Sequence, residues 1–210
     1  MGTFIVLAIL VVLLGIVLMQ LFKKPAPKSA PAGPDLANLK ITDARRGDLI
    51  SISGAGDNLS DLDFTIDHST SLAAGAWNAH LLSGVYRDRR VAVHITENED
   101  VEVKVDDASR HLTVEDLGLN EEDLAQMDER QNTADSFEFD GKVWLYRRSR
   151  EVQARRDGQP QPGFYYWEFA EQDGKRLITI RKAEGEPFAI TLYTAVPAGD
   201  ITVYRGSSTA

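Results

Sequence analysis

The stretch Phe137-Glu138-Phe139-Asp140-Gly141-Lys142-Val143-Trp144-Leu145-Tyr146 decides the fold class. Aromatic side chains recur at every second position on either side of Asp140-Gly141, as half-buried strands require. Asp-Gly is also the dipeptide that suits a two-residue hairpin turn, where both central residues take positive φ. The same period of two runs outward from this hairpin. It is carried by Ile50 and Ile52, by Leu62, Phe64 and Ile66, and by Val91, Val93 and Ile95 with Val101, Val103 and Val105. Asp157-Gly158 and Asp173-Gly174 are further turn signals, and they bracket Phe164-Tyr165-Tyr166-Trp167-Glu168-Phe169. One face of that strand takes Phe164 and Tyr166, the other Tyr165, Trp167 and Phe169. With aromatics on both faces the strand belongs in the middle of a sheet. Strands at 177–180, 188–192 and 201–204 bring the count to about ten, which predicts a mainly β domain, a sandwich or partly open barrel.

One stretch breaks the rhythm. Thr113 and Asp116 have capping-box-like spacing and the segment stops at Gly118. Asn120 can cap a second short helix, with Glu121, Glu122 and Asp123 in its positive first turn and Leu119 and Leu124 placed as a hydrophobic staple. Residues 112–130 therefore read as one or two short helices joining two groups of strands. The groups resemble each other: RVAVHI at 90–95 with VEV at 101–103 matches RLITIR at 176–181 with FAI at 188–190, which predicts two similar halves.

At the start of the chain, residues 4–22 read FIVLAILVVLLGIVLMQLF, nineteen positions without a charge. At ~1.5 Å per residue such a helix spans about 28 Å, the thickness of a bilayer's hydrocarbon core. A signal peptide would need a basic residue before the apolar run, and Met1-Gly2-Thr3 has none. Lys23, Lys24 and Lys28 follow the span, so the positive-inside rule predicts an inner-membrane protein with its N-terminus outside and its C-terminal domain in the cytoplasm. The expected organisation is an anchor at 1–22, a Pro/Ala/Lys-rich linker at 23–40 and an acidic β-rich domain at 41–210.

Of the 210 residues, 43% are hydrophobic, enough for a core. Three of the 23 basic residues precede Asp35 and all 32 acidic residues lie from Asp35 onward, leaving that part of the chain at −12. That charge argues against a nucleic-acid partner. The absence of cysteine removes disulfide, zinc-finger, iron–sulfur and thiol chemistry. His68, His80, His94 and His111 share no ligand spacing, and Asp57 to Asp67 lacks the glycine and glutamate of a calcium loop, so neither metal nor cofactor is predicted. Gly54-Ala55-Gly56 is a lone GxG that suits a turn, and no nucleophile-elbow motif occurs. No catalytic motif emerges, so the chain is not expected to be an enzyme. The basic cluster Arg147, Arg148 and Arg150 beside Tyr165 and Trp167 is the candidate interaction surface for an acidic partner segment, unless the arginines pair with the domain's own carboxylates.

On these residues the domain resembles the bacterial family called domain of unknown function 4178. The resembling elements are Gly47-Asp48, Trp77, Phe139-Asp140-Gly141 with Trp144 and Tyr146, Tyr165 to Phe169, and the closing Asp200-Ile201-Thr202-Val203-Tyr204. The resemblance implies a β-rich module without an assigned activity or functional residues, encoded in many members near membrane-stress proteins of the phage-shock type. Many members carry a cysteine-rich ribbon where this chain has an anchor. The expectation is a single-pass membrane protein whose cytoplasmic module binds a membrane or cytoplasmic protein and serves envelope maintenance. The alternative is a membrane-tethered enzyme or small-ligand sensor with a polar site between the two strand groups. A pocket of converging carboxylates and a histidine with shifted pKa values would favour the alternative, and a filled core would favour the scaffold.

Overall fold

The computed structural model describes residues 39–97, 100–106, 110–172 and 174–206. The expected anchor and all but the last two residues of the expected linker lie outside them. No helix among the described residues is long and apolar enough to cross a membrane. Leu39 bridges Val203 and so belongs to the folded domain.

The chain is mainly β. Five strands form the first antiparallel meander: β1 (Leu49–Ile52), β2 (Leu62–Ala74), β3 (Trp77–Tyr86), β4 (Arg89–Glu97) and β5 (Val101–Asp106). A 3-10 turn (Glu115–Leu117) and helix α1 (Glu121–Arg130) lead to a second meander. It consists of β6 (Ser136–Phe139), β7 (Lys142–Arg156), β8 (Gln159–Glu171), β9 (Arg176–Lys182) and β10 (Ala189–Val196). The pairing order of β1–β5 is thus repeated in β6–β10. A last strand, β11 (Ile201–Tyr204), returns to pair with β1.

The meanders join twice. β5 pairs with β10, Val105 opposite Thr194, and β2 pairs with β7, Thr70 opposite Arg156. These two joints close β2–β5 and β7–β10 into a ring of eight antiparallel strands, so the barrel has no open seam along those strands. Closure needs β2 to leave β1 and reach β7. The register of β2 shifts between Ile66 and His68, and opposite the shift stands Gly84, where a Cβ would collide with the Thr65 carbonyl oxygen and the Phe64 ring. A bulge bends a strand, and glycine lets the two backbones approach at the bend.

Two of the three Asp-Gly turns read from the sequence are present, while Asp173 of the third lies outside the described residues. Asp140 and Gly141 take φ of 55° and 68°, and Asp157 and Gly158 take 52° and 80°, the conformation of a type I′ hairpin turn. Asn120 and Asp123 form a reciprocal capping box at the start of α1, and Thr113 and Asp116 exchange hydrogen bonds in the same pattern.

Alternate residues of each half meet a different cover outside the ring. Phe64, Ile66, Val91, Val93 and Ile95 bury their side chains together with Ile50, Ile52 and Val203 of β1 and β11. In the second half Trp144, Tyr146, Phe169 and Ile178 are buried with Leu117, Leu124 and Met127 from the helical segment. Two polar devices fasten the covers. Asp48, 2% exposed, accepts hydrogen bonds from Arg205 Nη1 at 2.8 Å, the Gly206 amide at 3.1 Å and the Arg45 amide at 3.0 Å. Asp128 of α1 accepts from the Ser149 and Tyr165 hydroxyls, both at 2.5 Å, while Trp167 Nε1 donates to the Leu124 carbonyl at 3.2 Å.

Candidate functional site

The remaining alternate positions face into the ring. At one level they are apolar: Leu72, Trp77, Ala79, Val152, Ala154 and Tyr166, from β2, β3, β7 and β8, bury one another. Trp77 lies 5.7 Å from the Tyr166 ring, and the Arg150 guanidinium sits over it at 4.8 Å. Beyond this layer the interior turns polar and opens into a cavity of about 330 Å³. Such a volume is at the lower end of small-molecule sites.

β4 supplies His94 to the cavity wall. Its neighbours Val93 and Ile95 bury themselves outside the ring, so the strand's alternation sends the imidazole inward. It is 1% exposed, and neither ring nitrogen has a hydrogen-bond partner. Burial, and then the Lys104 charge, lowers its pKa to about 4, with Glu102 opposing. The ring is therefore neutral near pH 7, with one nitrogen a donor and the other an acceptor. The Tyr193 ring lies 5.4 Å away.

β8 supplies Glu168, 5% exposed, whose carboxylate lies 2.9 Å from Arg148 Nε. Burial raises the pKa of Glu168, and the charges of Arg148, Arg150 and Lys104 pull it back down. On β5, Lys104 pairs with Glu102 at 2.5 Å, and that hydrogen bond holds the Glu102 carboxyl below its ordinary range. On β9, Arg176 grips the buried Glu171 with Nε at 3.2 Å and Nη2 at 2.9 Å, next to the cavity. A cluster of paired charges around a neutral histidine, lined by strands from both halves, can hold and orient a small polar molecule. Among the described residues no three metal-ligating side chains gather in one place.

The five residues expected to form one interaction surface do not share a face. Arg148 turns inward onto Glu168, Arg150 turns inward over Trp77, and Arg147 is exposed at the cavity mouth. Tyr165 and Trp167 point to the opposite side of β8, against α1. The cause is a bulge in β7 between Tyr146 and Arg148. Tyr146 opposes Phe169 on the outer face, whereas Arg148 opposes Glu168 on the inner one. Simple alternation would put Tyr146, Arg148 and Arg150 on one face, and the extra residue reverses that. The expected self-pairing of arginines holds for Arg148, whereas Arg147 and Arg150 make no ion pair among the described residues.

Lys104 and Glu168 were not singled out from the sequence, and His94 was weighed there only as a metal ligand. For Glu168 a signal existed: it is the one charged residue within an aromatic run, on the face of Phe164 and Tyr166. His94 carried a fainter one, as the polar residue within VAVHI at 91–95. A second cavity of about 310 Å³, beside Arg89, Asp106 and Asp200, has no buried unpartnered polar side chain on its wall. Comparisons with protein-family models, with curated proteins and with solved structures found no match to this chain.

Proposed function

We propose that the domain is a membrane-tethered receptor for a small polar ligand that enters the ring beside His94. The observation that carries this reading is the state of that histidine. A buried polar group without a partner costs about 1–3 kcal/mol, and His94, a residue of the cavity wall, carries two such atoms. A ligand supplying an acceptor and a donor removes that cost, which makes its binding favourable. The converging carboxylates and shifted histidine are what the sequence reading named as favouring a ligand site over a scaffold. The apolar run at 4–22 would hold the receptor at the inner membrane with the domain in the cytoplasm, where ligand occupancy is signalled to a membrane or cytoplasmic partner.

The test is a fragment library screened by ligand-observed NMR against the full chain in detergent micelles. The expected result is a set of fragments whose binding changes tryptophan fluorescence and is lost in His94→Leu. The same variant, without ligand, should be more stable than the parent by about 1 kcal/mol or more, because the unpaired polar atoms are gone. No bound fragment across the library, or binding indifferent to His94→Leu, overturns the reading.

A further inference from the structure

We propose that the ligand of this site is a small organic anion, a carboxylate or phosphate group carried on a flat apolar body. This rests on the receptor reading above and names the class of molecule. The chain from Asp35 onward carries −12, so an unselective surface would repel such a ligand. The cavity wall has the opposite balance. Lys104, Arg147, Arg148 and Arg176 line it, against Glu102 and Glu168. Both carboxylates are engaged, Glu102 with Lys104 and Glu168 with Arg148, and Arg176 is held by Glu171 and Asp140. Two cations are left over. Arg147 at the mouth and Arg150 behind Trp77 make no ion pair among the described residues, and Arg150 Nε is buried without a hydrogen bond.

Charge arranged in this way selects against a cation, which would find every wall carboxylate occupied. It favours an anion, because the unpaired guanidiniums leave the site with an excess of positive charge, and low-dielectric walls focus that field and raise the local concentration of the opposite charge. Arginine also presents a fork of donors that matches carboxylate and phosphate oxygens. The same wall carries Trp77, Ala170 and Leu177, apolar surface that suits a hydrocarbon body. His94 adds a neutral imidazole to that wall.

Four probes of similar size separate the possibilities: benzoate, phenyl phosphate, benzyl alcohol and benzylamine, titrated into the full chain in detergent micelles. Benzoate or phenyl phosphate is expected to bind at least about tenfold more tightly than benzyl alcohol, with benzylamine weakest. Arg147→Ala should weaken the better anion about tenfold and leave benzyl alcohol unchanged. Because Arg147 is exposed and unpaired, the variant's unfolding midpoint should equal the parent's, which separates lost recognition from lost folding. Benzyl alcohol binding as tightly as either anion, or benzylamine more tightly, overturns the anion class and leaves the receptor reading standing. Failure of both anions at about 10 mM also overturns it, and the fragment screen then decides whether the receptor reading falls too.

Discussion

The two halves of the ring repeat one pairing order but seal their outer faces by different means. The first half is covered by strands: β1 and β11 lie over an aliphatic cluster and are locked by Asp48 and Arg205, residues 157 apart in sequence. The second half is covered by a helix, with Asp128 and Leu124 fastening α1 over an aromatic cluster. Inside the ring the halves are unequal partners. His94 and Lys104 come from the first, and Arg148, Glu168 and Arg176 come from the second. Neither half has the site by itself. A repeated topology therefore builds an asymmetric interior, because cover and lining are set by side chains while the ladder is set by the backbone.

The largest expected effect tests the strand cover. Asp48→Ala leaves Arg205 partly buried and the Arg45 and Gly206 amides unpaired, and should cost about 3–5 kcal/mol in denaturant unfolding. A loss below 1 kcal/mol would show that β11 holds its place through apolar contacts alone. Acidification tests the interior. His94 has a pKa of about 4 in the folded chain, below its ordinary 6.5. Between those values the unfolded chain takes up a proton that the folded chain refuses. Stability therefore falls as pH drops through this window, by roughly 3 kcal/mol in all, and is unaffected above it. His94→Leu should abolish this share of the slope between pH 6.5 and 4.5, and an unchanged slope would place the imidazole in contact with water.

The helical cover should be the weaker of the two. Asp128→Ala removes the acceptor shared by Ser149, Tyr165 and Gln131 and should cost about 2 kcal/mol. It should also let the Tyr165 hydroxyl, now pushed up to about 12 by burial and then by Asp128, titrate at lower pH, as ultraviolet absorbance at the phenolate band would record. A cost above that of Asp48→Ala would reverse the ranking of the covers. Smallest is Asn120→Ala, which breaks the capping box and should cost about 1 kcal/mol, read as lost stability with little change in ligand-free tryptophan fluorescence.

Much of this domain was legible in the chain. Asp140-Gly141, Asp157-Gly158, the cap at Asn120 and the period-two runs are local features, and local sterics and hydrogen bonding determine them. The likeness between 90–103 and 176–190 likewise corresponds to β4–β5 and β9–β10, the same position in each meander. Three things depended on the tertiary structure. The ring closes through β2 and β7, a pairing between residues about 80 apart that no local pattern encodes. The bulge before Arg148 turns two arginines inward and divides the expected surface between two faces. And His94, an unremarkable residue in a strand, became the feature of most consequence because closure of the ring removed its water without giving it a partner. Alternation states which residues share a side of a strand; only the path of the whole sheet determines whether that side meets water, a cover or a cavity.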